Sequence, residues 1–299
     1  MRFKINAIFL IISAIFLTQQ IRAENLRFIN GFWFDGKTFQ AKTVYSLNGI
    51  LAFNFKGKID STVDLQKSYV IPPFAEAHTH QFLDVMNFQE QIDDYLNKGI
   101  FYVKNLNSLP RFTVRIRPYI NQPKSVDVVY ANGGLTATGG HPVQIYTSLA
   151  QNGVFSGLTA KDVENEAYFI IDDEKDLAEK WQIIKSQKPD FIKTYLEHSE
   201  EYELRKNDAK YYGKKGLNPQ LLPKIVARAH KDNFRVSVHI TTAQDFHNAV
   251  IAGVDEISHL PLEKIDAADA KLAAQKKIFV VTTTLSHRDT SGIQNLDEI

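Results

Sequence analysis

From residue 70 onward the sequence alternates short apolar, β-branched runs with longer stretches whose apolar residues recur at helical spacing. The strand-like runs fall at residues 70–77, 100–105, 126–130, 191–195, 235–240, 254–258 and 278–283. Helix-like stretches at 88–97, 175–186, 219–232, 243–252 and 267–276 separate most of them. A parallel strand is reached only through a crossover of a dozen or more residues, which a helix fills, so the alternation predicts parallel βα units. Over this length it predicts an α/β chain of TIM-like (β/α) barrel type rather than an open doubly wound sheet. No Gly-x-Gly-x-x-Gly follows the first strand, which argues against a dinucleotide-binding domain.

Residues 24–69 have a different rhythm. Short strand-like runs are punctuated by Asp35-Gly36 and Asn48-Gly49, pairs that favour the positive-φ turns of hairpins, so a small β-domain is expected ahead of the barrel. Before it, Arg2 and Lys4 precede an apolar stretch at 7–17 broken only by Ser13, and Ile21-Arg22-Ala23 has the look of a cleavage site. That layout predicts a signal peptide over residues 1–23, mature protein from Glu24, and a secreted or periplasmic location. The apolar core is too short for a stable membrane anchor. The chain has no cysteine, so no disulfide staples the exported fold. Lys plus Arg number 35 against 34 for Asp plus Glu, a balance with no field to attract nucleic acid.

Chemistry concentrates at the predicted C-terminal ends of strands. In the first, Ala75-Glu76-Ala77-His78-Thr79-His80 carries two histidines one residue apart, which strand alternation turns to one side. Neutral imidazole is the commonest metal ligand, and such a pair suits zinc. The fifth and sixth strands end in His239 and His259. In the fourth, Lys193 is the only charge in an apolar run, and a buried ammonium is costly unless paired or neutralised. A lysine with a lowered pKa there could take up CO2 as a carbamate, an anionic ligand able to bridge two metals. Each residue alone also fits a structural role. Five of them at the same end of four strands point to one site, since barrel enzymes build their sites at that end. The glycine-rich segment 132–142 is read as a loop at the same rim, and the segment 197–215 as a lid or solvated helix without chemistry. His198, His230, His247 and His287 are assigned to the surface.

Taken as a set, the stretch Ile71-Pro72-Pro73-Phe74-Ala75-Glu76-Ala77-His78-Thr79-His80, the loop Gly139-Gly140-His141-Pro142, Phe191-Ile192-Lys193-Thr194-Tyr195, Val238-His239 and Ser258-His259 resemble the amidohydrolase superfamily, in its imidazolonepropionase-like and prolidase-like branch. The resemblance implies a (β/α)₈ barrel beside a small β-sandwich, one or two divalent metal ions, most often Zn, and hydrolysis of C–N bonds by activated water. On it, His78 and His80 would bind the more buried ion, carbamylated Lys193 would bridge, His239 and His259 would bind the second, and His141 would contact substrate. The substrate would be a small-molecule amide, lactam or dipeptide, and a homo-oligomer is compatible with this reading.

The sequence departs from the family at its end. Members carry an aspartate at the end of strand eight that shuttles the proton, whereas only residues 285–299 follow the seventh strand here, too few for a crossover and another strand. Asp289 and Asp297 do not transfer to that role, so no catalytic acid or base is assignable. The barrel is therefore expected to lack its eighth strand, and a fragment of a longer product is favoured over a chain that ends at Ile299. Two rivals accompany the hydrolase: a catalytically inactive metal-binding protein on the same fold, and a solute-binding protein using the 133–142 loop.

Overall fold

The computed structural model of the protein describes residues 24–83 and 86–283. The expected signal peptide, the expected absence of an eighth strand, and His287, Asp289 and Asp297 all lie outside the described residues. Two compact units divide between Pro72 and Pro73. Among the described residues no helix is long and apolar enough to cross a membrane.

The first unit is a mixed sheet of β1 (Leu26–Phe34), β2 (Phe39–Leu47), β3 (Ile50–Ala52), β4 (Ser61–Asp64) and β5 (Tyr69–Val70). β1, β2 and β3 form an antiparallel meander, while β4 and β5 pair with β1 in parallel. Both predicted hairpins are present. Asn48 and Gly49 take φ of 52° and 83°, and Asp35 Oδ1 accepts from the Lys37 and Thr38 amides beside Gly36 at φ 99°. The described residues form one sheet here, and the second facing layer of the expected sandwich is not among them.

The second unit is α/β with parallel strands. In chain order it runs β6 (Phe74–Thr79), α1 (Phe88–Asn97), β7 (Ile100–Asn105), α2 (Pro110–Ile116), β8 (Asp127–Tyr130), β9 (Gly134–Thr136), α3 (Val143–Gln151), β10 (Tyr168–Ile170), α4 (Glu174–Ser186), β11 (Ile192–Tyr195), α5 (Tyr202–Arg205), α6 (Leu222–Lys231), β12 (Val236–His239), α7 (Ala243–Ala252), β13 (Glu256–Ser258), α8 (Ala267–Gln275) and β14 (Phe279–Val281). β6, β7 and β8 form one parallel sheet, and β10-β9-β11-β12-β13-β14 another. Asp190 joins them, its amide donating to the Tyr130 carbonyl and its carboxylate accepting from the Tyr130 amide. The apolar faces of β11, β12 and β13 pack beneath α4, α6 and α7, where Ile192, Val236, Val238 and Ile257 meet Trp181, Ile225 and Phe246, all essentially inaccessible to water.

Three expectations change. The predicted first strand, residues 70–77, is two strands in different units: Pro72 and Pro73 offer no N–H to a ladder, so β5 stops at Val70 and β6 starts at Phe74. The glycine-rich segment is not all loop, because β9 lies inside it, pairing with β10 and β11. Its glycines serve close packing: a Cβ on Gly134 would stand 2.4 Å from the Tyr195 ring, and one on Gly133 2.2 Å from the Glu166 carbonyl oxygen. The segment 197–215 is short helical turns, among them α5, rather than one helix.

Candidate metal centre

Strand register assembles the floor of the site. In β11, β12 and β13 the aligned rows are Lys193, Ser237 and Glu256, then one step further Tyr195, His239 and Ser258. These side chains oppose the helix-covered Ile192, Val236, Val238 and Ile257, as alternation requires. His78 is the penultimate residue of β6 and His80 lies just past its end, with their rings 5.6 Å apart. Loops at this rim are fixed by Asp245, which is fully buried. Its carboxylate accepts from the amides of Thr241 and Thr242 after β12 and of His198 and Ser199 after β11, tying the two strand ends together.

His259 reaches the site by a route that alternation does not give. Period two would send it to the side of Ile257, into the helix-packed core. Instead its backbone adopts φ 78°, the left-handed region, which costs a non-glycine residue roughly 1–2 kcal/mol. That turn swings the ring inward, and its Nδ1 lies 2.7 Å from Thr283 Oγ1. Strain of this kind is commonly kept where function needs it.

The result is a cavity of about 420 Å³ lined by His78, His80, His141, Lys193, His239 and His259, the six residues singled out from the sequence. Neighbouring ring centroids form a continuous arc: His80 to His78 at 5.6 Å, His78 to His259 at 4.7 Å, His259 to His239 at 4.6 Å, and His239 to His141 at 4.6 Å. Burial lowers His78, His141 and His239, favouring in them the neutral form that ligates metal. It drives His78 down to about 2 and His141 to about 4, with Lys193 adding repulsion, and it holds His239 well below its ordinary value. His80 faces solvent through the mouth, yet the surrounding protein and Lys193 still lower it.

Lys193 is 1% exposed, and burial lowers its ammonium from 10.5 to about 7, so free amine is abundant near neutrality. Its Nζ donates to Ser258 Oγ at 2.9 Å. Ser258 meets Ser237 at 3.1 Å, Ser237 donates to Glu256 at 2.8 Å, and Glu256 pairs with Lys104. This polar chain holds the amine below the imidazoles.

The donors fit a divalent cation in kind. His78 Nδ1 is buried with no hydrogen-bond partner, an expense that a cation would relieve. Among the described residues, however, no three His, Cys, Asp or Glu side chains form a ready-made metal nest. The set depends on Lys193 as well as on imidazoles.

Some lining residues escaped the sequence reading. Tyr195 shares Lys193's face two residues on, a signal that was legible, and its hydroxyl accepts from Asn107 Nδ2 at 2.6 Å. Pro142, Ile145, Tyr146 and Leu149 form one wall from α3, a helix missed because it opens directly after the glycine-rich run. The remaining described histidines stay out of the cavity. His230 is exposed beside Asp255, while His198 and His247, expected at the surface, are half-buried against Glu200 and Asp269.

Fold and cavity together define a class: a parallel β/α protein with imidazoles gathered at the C-terminal ends of its strands. No protein-family model matches the chain, and no curated protein matches it by sequence. Solved structures do match. A Xaa-Pro dipeptidase with methionine bound in its active site superimposes with a TM-score of 0.65 at 16% identity, covering 88% of this chain and 67% of its own. An ochratoxinase from A. niger gives 0.66 at 15%, covering 93% and 71%. A prolidase complexed with N-methylphosphonate-L-proline gives 0.63 at 16%, covering 87% and 66%. The chain thus has the fold that these three structures share, and spans about two thirds of their length.

Proposed function

We propose that the protein is a metal-dependent hydrolase of C–N bonds, acting on an amide, lactam or dipeptide, its parallel strands belonging to a (β/α) barrel. The observation that carries this reading is that all six residues chosen from sequence line one cavity. His78, His80, His239 and His259 would hold one or two divalent ions, Zn suiting imidazole best, with Lys193 joining them as a carbamate formed from CO2. Such ions lower the pKa of water and polarise a scissile carbonyl. Neutral imidazole is the form that ligates metal, His78 Nδ1 has no hydrogen-bond partner, and the Ser258 hydroxyl orients the Lys193 nitrogen. His141, stacked on His239 at 4.6 Å and kept neutral by burial, is suited to donate a hydrogen bond to a substrate oxygen. The second reading is an inactive metal-binding protein on the same fold, holding the ions without a proton shuttle. In either reading residues 1–23 direct export to the periplasm.

The test is metal content and turnover on the same purified full-length chain. The hydrolase reading expects at least one equivalent of divalent metal, hydrolysis of some member of a panel of amides, lactams and dipeptides, loss of that activity on chelation, and its return with zinc. Metal held without turnover across the panel selects the inactive metal-binding protein. Ligand affinity indifferent to chelation selects a solute-binding protein.

A further inference from the structure

Above its polar floor the cavity has an apolar wall. Pro142, which caps α3, and Ile145, Tyr146 and Leu149 on it stand at i, i+3, i+4 and i+7, one stripe, and all line the cavity, as does Leu83 after β6. The stripe is shared between the cavity and the core: Tyr146 is buried in the same cluster as Val143, and Leu149 packs against that cluster. Val143 and Ala150 are buried among Leu109, Phe112 and Phe155, whereas Ile145 remains 47% exposed. Two tyrosines extend the wall. The Tyr195 hydroxyl accepts from the Asn107 amide at 2.6 Å and the Tyr146 hydroxyl donates to the Asn107 carbonyl at 3.1 Å, so both phenols are held by Asn107.

The charge inventory agrees. Among the described residues, no Arg, Asp or Glu lines the cavity, and the lining Lys193 is bonded to Ser258 beneath the imidazoles. A free α-amino group entering here would be desolvated beside leucine, isoleucine and proline with no carboxylate among the described lining residues to pair with, whereas an alkyl or aryl group would be stabilised.

We propose that the site takes uncharged substrates whose apolar side group packs on the α3 stripe, with Ile145 and Leu149 setting the preference. This rests on the hydrolase reading and narrows it to neutral amides or lactams rather than dipeptides with free ends. Substrate is oriented by burying its apolar group against α3, which presents the C–N bond to the histidine floor; the cavity's 420 Å³ lies within the range of small-molecule sites.

The experiment uses the full chain loaded with zinc and two kinds of probe. Binding of 1-butanol, 1-hexanol and 1-octanol, followed by ligand-observed NMR, should tighten about 4-fold per methylene. Ile145→Asp and Leu149→Asp, each checked for an unchanged circular dichroism spectrum, should flatten that slope; Ile145→Ala should lower it less. Should one aspartate variant fail to fold, the other and the alanine variant still report. Neutral N-acyl amides should be hydrolysed at least about 10-fold more efficiently than free dipeptides of matching side chain, since desolvating an unpaired charge costs at least that much. An affinity independent of chain length, a slope untouched by the folded variants, or a preference for free dipeptides overturns the inference. Absence of all hydrolysis with the alcohol slope intact removes the hydrolase reading and upholds the apolar site.

Discussion

Replacing Lys193 with methionine should make the metal-free protein more stable while destroying the site. Lys193 is 1% exposed, and its pKa falls from 10.5 to about 7, so at neutral pH or below the fold carries a penalty of about 5 kcal/mol for an ammonium that unfolding would release into water. Methionine keeps the length and the apolar stem without the charge. The change gives up the bond to Ser258 Oγ, about 1 kcal/mol, and a similar amount for imperfect packing, so the net gain should be about 3 kcal/mol. For a chain of this size that is about 6–10 °C in melting temperature. The pH dependence carries the sign. Between pH 7 and 10.5 the unfolded state binds more protons than the folded one, so wild-type stability climbs with pH and the variant's advantage shrinks. By pH 9.5 about 1.4 kcal/mol of penalty remains, which the variant's own losses cancel. The assay is thermal unfolding at pH 7 and 9.5 in EDTA and CO2-free buffer, which keeps the amine unmodified. A variant less stable than wild type at pH 7, or an advantage equal at both pH values, would refute the reasoning.

Other outcomes follow from the same geometry. His259→Gly should be about 1 kcal/mol more stable than His259→Ala, because only glycine adopts φ 78° without strain, and both should lose metal; denaturant unfolding and metal analysis read the two effects separately. Glu197, raised to about 7 mainly by burial and then by Asp245, is protonated in the fold while the unfolded chain's carboxyl is ionised between pH 4.5 and 7. Stability therefore falls as pH rises through that window, and Glu197→Gln should gain up to about 3 kcal/mol at pH 8 but nothing below pH 4.5, measured by urea unfolding at both. His78, His141 and His239 are lowered below 6.5, so the metal-free chain should lose stability as pH falls under 6.5, and saturating zinc should shift that loss to lower pH.

What the sequence revealed and concealed has a physical pattern. His78, Lys193 and His239 were legible because strand alternation is rigid: knowing that Val236 and Val238 face the helices is enough to turn Ser237 and His239 the other way. His259 was chosen for its place at a strand end, but alternation alone would have buried it beside Ile257; a single left-handed residue makes the choice work, and side-chain sequence does not announce φ. The Val70 boundary failed because an apolar run was read through Pro72 and Pro73, although missing N–H donors should have ended it. β9 was hidden because glycine was taken for flexibility when, at Gly133 and Gly134, it permits backbone to approach backbone and ring. The α3 stripe at 142, 145, 146 and 149 had a visible helical period, masked by its glycine-rich approach.

The central claim is that four imidazoles from three strand ends and the Lys193 amine grip a divalent ion together. Crystals of the zinc-loaded protein, measured on either side of the zinc absorption edge, test it without reference to activity. The account predicts an anomalous peak inside the cavity, about 2.0–2.1 Å from ring nitrogens of His78 and at least one of His80, His239 and His259. A cavity without a peak at saturating zinc, or zinc found only on surface histidines such as His230, would contradict it.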